Sequence, residues 1–509
     1  MTLDGLAPAL LVGALIVLAA ILGVRFAGRL GVSGLFLYLL LGIALGSTFP
    51  ALDLQNAELA TVLGYSALVL ILAQGGLTTR LSALRPVLWP ALTLASLGVA
   101  VSITVVALPL IFILDMSPQI AILLGSVLAA TDAAAVFSVM RKIRTSGRMR
   151  TLLEAEAGFN DAPIVVLVSV VASSNFGETP IWQIPVVVAL ELAGGAAIGV
   201  AFGYFARWML PRLALPSVGL YPIAALALLV ATYGVAAIIH SSGFIAVYLA
   251  AIIIGSTARL PHRRSIIGFH DGLAWIAEIG LFVMLGALAE IDRLPAAIPT
   301  AIFVIVVLVV FARPLAVVAS LVPFRWPVRS IAFASIAGLR GAVPIVFAAI
   351  PLAAAVTGAT EVFDVTLLVV LTLLLVQTPI LAPLGRRLGV VLSNEVVELE
   401  VEAAPLDGMH ALVLGIEVPE GSGFVGTFVP EIGLPQGAVV ALIVRNGEAL
   451  APDVNTRIRA GDQLLIVTTE EARTATDVRI RAVAQGGRLA RWLSPPPIVR
   501  KPTSGRRRG

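Results

Sequence analysis

The sequence predicts an all-α polytopic membrane protein of about thirteen transmembrane helices, followed by a small α/β domain. Three observations carry that prediction. The 509 residues are 59% hydrophobic and only 13% charged, far below the charge of a soluble chain. Residues 1–390 read as one apolar run after another, each about 18–25 residues long, the length at which an α-helix crosses ~30 Å of hydrocarbon. From residue 391 onward charges return, and Gly, Pro and short apolar runs alternate. The chain holds 0 Cys, which excludes disulfides, thiolate metal sites and a Cys nucleophile.

In chain order the spans fall near 6–24, 31–49, 57–77, 86–114, 118–140, 151–173, 184–210, 218–239, 243–257, 266–289, 296–322, 328–355 and 361–385. The first is followed, not preceded, by basic residues (Arg25, Arg29). That is the reverse of a secretory signal, so it reads as a retained helix. Alternate loops carry Arg80 and Arg85, then Arg141, Lys142, Arg144, Arg148 and Arg150, then Arg207 and Arg212, then Arg259, Arg263 and Arg264, then Arg325 and Arg329, then Arg386 and Arg387. The intervening loops carry Asp53, Asp115, Glu178, Asp292, Glu361 and Asp364, with Arg293 their only basic residue. Cytoplasmic loops collect Lys and Arg. The expected topology is therefore N-terminus outside and C-terminus cytoplasmic. An odd count suggests two inverted repeats flanking span seven, with span five matching span twelve and span six matching span thirteen.

Ionisable residues inside the spans are the strongest functional signal. Each costs about 2.5–3.5 kcal/mol at the bilayer centre on insertion scales, and such residues mark ion or proton paths. In span six, Glu154-Ala155-Glu156-Ala157-Gly158-Phe159-Asn160-Asp161 puts Asp161 about ten residues in, ~15 Å deep. Desolvation penalises its ionised form. Ionised, it can hold a small cation; protonated, it cannot. Glu154 reads as solvated near the surface. In span five, Asp132 of Thr131-Asp132 either binds an ion or caps a broken helix, and Thr131 offers a further oxygen. In span twelve, Gly338-Leu339-Arg340-Gly341-Ala342-Val343-Pro344 indicates an interrupted helix. There Arg340 either pairs with Glu156 or offsets helix C-terminal dipoles. Arg313, before Pro314, reads as a structural cation. The histidines His240, His262, His270 and His410 show no metal-site spacing. No Gly-Lys-Ser/Thr loop occurs, which argues against ATP-driven transport.

Thr131-Asp132, Glu156…Asn160-Asp161 and Gly338-Leu339-Arg340-Gly341-Ala342-Val343, in this order, resemble the NhaP/NHE class of monovalent cation:proton antiporters. With the C-terminal tail the chain resembles its NhaP/CvrA-type potassium(sodium)/proton members. The resemblance implies an NhaA-like fold with crossed discontinuous helices, a homodimer in the bacterial inner membrane, elevator-type alternating access and a role in pH homeostasis. It implies that Asp161, with Asn160 beside it and Thr131 and Asp132 nearby, binds cation or proton. It implies that Glu156 and Arg340 form a buried ion pair. Asn-Asp in place of two adjacent Asp resembles the electroneutral class. Two positions depart from the family pattern. Ala157 stands where a hydroxyl residue is frequent, and Gln74 stands where an acidic residue is frequent. Both favour potassium over sodium. No cofactor, metal or nucleic-acid partner is expected.

In the C-terminal part, strands are expected at Met409–Val418, Ala438–Arg445 and Gln463–Thr468, with a hairpin at Asn446-Gly447. Val418-Pro-Glu-Gly-Ser, Val425-Gly426, Leu434-Pro-Gln-Gly437 and Gly461-Asp462-Gln-Leu-Leu resemble the TrkA-C (RCK-C) regulatory module. That implies dimerisation and a small ligand, such as a nucleotide or cyclic dinucleotide. The expected division is 1–390 exchanger, 391–408 linker, 409–483 regulatory module and 484–509 basic disordered tail. The alternative to antiport is a ligand-gated monovalent cation channel. An intramembrane enzyme finds no supporting constellation.

Overall fold

The structure, a computed structural model, describes residues 3–30, 33–48, 56–133, 135–136, 140, 145–173, 176, 180, 182–257, 260–390, 401–406, 411–419, 421–445, 447–469 and 471–487. It divides into two units, Met1–Val391 and Leu392–Gly509.

In the first unit each apolar stretch carries helix. The elements are α1 (Leu3–Leu30), α2 (Gly34–Thr48), α3 (Ala57–Thr78), α4 (Leu81–Ile113), α5 (Pro118–Ala129), α6 (Gly147–Val171), α7 (Gln183–Met209), α8 (Leu220–Ile238), α9 (Gly243–Gly255), α10 (Arg263–Ala287), α11 (Leu294–Phe324), α12 (Val328–Ala337), α13 (Ala342–Ala353) and α14 (Ala359–Arg387). Among the described residues seven helices are long and apolar enough to cross a membrane, or eight when α12 and α13, bent by 50° at their break, count as one span. The chain is a multi-pass, mostly helical membrane protein. This count is coarser than thirteen for a physical reason. α6 holds Glu154, Glu156 and Asp161 in one window, and α2, α5 and α9 are shorter than a bilayer is thick.

Helix starts follow local chemistry. The Asn56 side-chain Oδ1 accepts the Leu59 N–H (3.0 Å) to start α3. Ser117 and Ser146 hydroxyls do the same for α5 and α6. Two long helices carry a wide turn at mid-length, Leu94–Gly98 in α4 and Val307–Ala312 in α11. The second ends at Ala312, just before Arg313-Pro314, where proline has no N–H for the ladder.

Small residues set the close approaches. A side chain at Gly42, Gly46 or Gly286 would strike the facing backbone of α10 or α2, and one at Gly199 would strike α9 from α7. The packing resolves into two sets. In one, α1, α2, α3, α7, α8, α9 and α10 pack on one another; in the other, α4, α5, α6 and α11 to α14 do. α3 against α13, and α6 against α7 and α9, join the sets.

The second unit is a five-stranded antiparallel sheet of order β1-β2-β5-β3-β4, with β1 Val401–Leu406, β2 Ala411–Glu417, β3 Ala438–Arg445, β4 Glu448–Leu450 and β5 Gln463–Thr469. α15 (Arg473–Gly486) follows, and Ile480 and Val483 join the core of Leu414, Ile416, Phe424, Ile443, Leu464 and Ile466. β3 and β4 pair antiparallel around Gly447 (φ +84°); Asn446 lies outside the described residues. One boundary is corrected. Residues 401–406, expected within the linker, form an edge strand, because Val401–Leu406 pairs in register with Ile416–Ala411. The tail from residue 488 onward lies outside the described residues.

Candidate functional site

Two interrupted spans meet in the first unit. α5 stops at Ala129, and Ala130 is extended (φ −58°, ψ 137°). Helical bonding resumes at Asp132, whose carbonyl accepts the Val136 N–H (2.9 Å). α12 stops at Ala337 and restarts as α13 at Ala342. The breaks are stitched together. The Asp132 N–H donates to the Leu339 carbonyl (3.0 Å), and Asp132 Oδ2 accepts the Ala342 N–H (2.6 Å). A side chain at Gly341 would fall on the Asp132 carboxylate.

Such breaks bring orphan backbone groups and helix-end partial charges into the membrane interior. Asp132 answers the two N-termini: Oδ1 accepts from Ala135 (3.3 Å) and Oδ2 from Ala342. These are capping bonds, one of its two sequence readings. Arg340 answers the two C-termini, donating from Nε to the Leu128 carbonyl (3.1 Å) and from Nη1 to the Gly338 carbonyl (2.6 Å).

The expected Glu156–Arg340 pair is corrected. Glu156 takes both bonds from Arg313, Nη1 to Oε1 and Nη2 to Oε2 (2.9 Å), while Nη2 also reaches the Ala334 carbonyl (3.3 Å). The wide turn of α11 ends one residue before Arg313 and presents its guanidinium to α6. Gly338 has no side chain, and a Cβ there would fall on that guanidinium. Arg340 sits on the extended break, within reach of carbonyls instead. Glu154 is corrected too: its side chain is 11% exposed and takes the Arg150 Nε at 2.7 Å.

Asn160 of α6 donates from Nδ2 to the Ala129 carbonyl (3.1 Å) and to Thr131 Oγ1 (3.2 Å). It ties the α5 terminus to α6 beside Asp161. Asp161 is 0% exposed. Neither of its oxygens has a hydrogen-bond partner among the described residues, nor does Asn160 Oδ1. Asp132 stands within electrostatic reach. A buried ionised carboxylate without a partner is strongly disfavoured. Ala157 is buried and adds no oxygen. Gln74 is distinct from this cluster: on α3, it donates to Asp271 Oδ1 of α10 at 3.0 Å. Among the described residues no three His, Cys, Asp or Glu side chains gather as a metal site.

Residues 14–387 match the family model "Sodium/hydrogen exchanger, transmembrane". The chain belongs to the sodium/hydrogen exchanger family. Residues 413–485 match the TrkA-C domain. Among curated relatives, the K(+)/H(+) antiporter NhaP of Alkalimonas amylolytica is 32% identical over 90% of this chain and 80% of its own. The K(+)/H(+) antiporter NhaP2 of Shewanella baltica is 30% identical over 91% and 81%. The solved structure of the sodium proton antiporter MjNhaP1 from Methanocaldococcus jannaschii at pH 8 superposes with a TM-score of 0.65 at 22% identity, covering 75% of this chain and 99% of that one.

Three polar residues of this exchanger chain gave little signal in the sequence: one at the crossing, Gln377, and two away from it, Asp271 and Tyr248. Gln377 of α14 donates to the Ile336 carbonyl and, at 3.4 Å, to the Gly338 carbonyl, completing the C-terminus of α12. Its signal was an amide directly after the apolar run Leu373–Val376. Asp271 carried no signal beyond its charge. Tyr248 lies in the apolar α9 and gave none.

Proposed function

We propose that the chain exchanges a monovalent cation, potassium in preference to sodium, for protons across the bacterial cytoplasmic membrane, with Asp161 carrying either ion. The observation that carries this reading is a fully buried carboxylate, neither oxygen bonded, set beside Asn160 and the Thr131 hydroxyl at two crossed helix breaks. Asp132 and Arg340 neutralise the helix ends, so Asp161 is left to balance the transported charge. One carboxylate and neutral oxygens suit a single monovalent ion, and one proton for one such ion is electroneutral. The relatives' names support potassium.

Thirteen spans, N-terminus outside and C-terminus inside, agree with the alternating loop charges. Inverted repeats find support in span four and span eleven. Each carries a wide turn, and Thr93 and Ser320 bond one another's carbonyls across them (3.3 and 3.2 Å). The two packing sets are the natural bodies for elevator movement, α6 and the breaks moving against α3, α7 and α9. We assign residues 1–390 to exchange, 401–486 to regulation by a nucleotide or cyclic dinucleotide, and a homodimer as the working form.

The test is cation-induced dissipation of a pH gradient in proteoliposomes with potassium, sodium and lithium. Wild type responds to potassium, and Asp161→Asn responds to none. A response that survives in Asp161→Asn moves the carrier to another residue.

A further inference from the structure

Tyr248 stands where the two packing sets touch. It belongs to α9, which packs with α3, α7 and α8, and its side chain reaches across to α6. The residue is 0% exposed, and its hydroxyl has no hydrogen-bond partner among the described residues. The ring lies on Gly158. A Cβ there would sit closest to the ring carbon that bears the hydroxyl, with the two flanking carbons next (2.7 and 2.8 Å). Phe159 meets the same ring edge-on, with centroids 5.3 Å apart. On the far side, Gly76 of α3 brings its backbone against the Tyr248 carbonyl, where a Cβ would stand 2.8 Å away. The tyrosine is held by a glycine from each set.

Gly158 precedes Asp161 by three residues on α6, which places the two on one helix face, about 4.5 Å apart along the axis. The hydroxyl end of Tyr248 therefore rests one turn from the carboxylate. The charged groups within its reach are Asp161 and Glu154. Glu154 is engaged by Arg150 and Asp132 by the two helix N-termini, while the Thr79 hydroxyl of α3, which donates to the Gly75 carbonyl (2.8 Å), keeps an acceptor oxygen within reach of the Tyr248 hydroxyl. Besides Thr79, the buried hydroxyl faces one carboxylate, Asp161 on the facing helix, neither oxygen of which has a hydrogen-bond partner among the described residues.

We infer that Tyr248 is a positioning residue for exchange: its ring closes the joint between the two helix sets, and its hydroxyl supports the ionised state of Asp161. The inference rests on Asp161 being the exchange site. A hydroxyl that donates to an ionised carboxylate favours that state over the protonated one. It thus sets the proton concentration at which the cation wins. Because Tyr248 lies on the opposite set from Asp161, this support changes as the sets slide.

Tyr248→Phe keeps the ring and removes the hydroxyl, and it tests the inference in the full chain reconstituted in proteoliposomes. Without the donor, protonation of the site is favoured. The apparent KM for potassium near pH 7.5 should rise about three- to tenfold, the pH of half-maximal exchange should move to the alkaline side, and the saturated rate should stay within about twofold. A fall in saturated rate at every pH with an unmoved pH midpoint would reduce Tyr248 to packing and overturn the inference, as would no change at all. Potassium protection against heat in detergent reads binding without transport: Tyr248→Phe should need several-fold more potassium than wild type, and equal protection would overturn the inference. Asp161→Asn, run alongside, separates the two claims. If it retains potassium protection, the exchange-site reading fails. If it loses protection while Tyr248→Phe behaves as wild type, only the role of Tyr248 fails.

Discussion

At the residue scale, Glu156 and Arg313 form a buried pair that neither can leave singly. Their side chains are 2% and 6% exposed, so removing one leaves the other charged in an apolar interior, at a cost of about 3–5 kcal/mol. Arg313→Met should accordingly lower the thermal midpoint sharply. Arg340→Met removes donors from two carbonyls and should cost less, about 1–3 kcal/mol. A double-mutant cycle should find strong coupling for Glu156→Gln with Arg313→Met and weak coupling with Arg340→Met. The reverse order would restore the pairing first expected from the sequence. That misreading is instructive. Burial of Glu156, Arg313 and Arg340 was legible because charge in an apolar run is conspicuous. The choice of partner was not, because it depends on a wide turn in α11 and on the bare face of Gly338, neither of which sequence spacing encodes. Asp132 was legible only as two alternatives, since capping requires knowing that another broken helix begins at Ala342. Asp132→Ala should cost about 1–2 kcal/mol for each helix start it uncaps.

At the element scale, glycines divide into two kinds with different expected effects. Gly42, Gly46 and Gly286 join α2 to α10 inside one packing set. Gly286→Val should overpack that contact, lowering stability by about 1–3 kcal/mol with the KM for potassium unchanged. Gly158 lies between the sets. Gly158→Ala should push on the Tyr248 ring and slow turnover at saturating cation more than it lowers the thermal midpoint. Equal loss of rate and stability in both variants would remove the distinction. The interruptions themselves were legible from Gly338, Gly341 and Pro344, because glycine and proline weaken a helix wherever they stand. The crossing was not legible from composition. It rests on long-range bonds such as Asp132 N–H to the Leu339 carbonyl, and reached the sequence reading only through family resemblance.

At the scale of the whole molecule, hydropathy gave the apolar stretches one by one, because a bilayer imposes length and apolarity on every crossing element. β1 escaped notice, because Val401–Leu406 is short and its Glu402, Ala403, Ala404 and Pro405 are poor strand formers. The C-terminal unit carries its own pH dependence. Burial pushes the Asp462 carboxyl up, but two bonds from Arg445 (2.8 Å each) and the Arg459 N–H (2.8 Å) outweigh it and hold the group below the usual carboxylate range. A lowered carboxyl stabilises fully above its unfolded value, near 4, and loses that contribution as pH falls through its folded value. Hydrogen exchange in β3 and β5 of the full chain should therefore accelerate below about pH 4, and Asp462→Asn should accelerate it already at neutral pH. An unchanged neutral rate in that variant would contradict the pairing. The central claim, one carboxylate for two ions, is tested most directly by the potassium dependence of exchange at a series of pH values. Competition at Asp161 predicts that the apparent KM for potassium rises in proportion to proton concentration on the acidic side while the saturated rate holds. A KM that does not change with pH would contradict the single shared site.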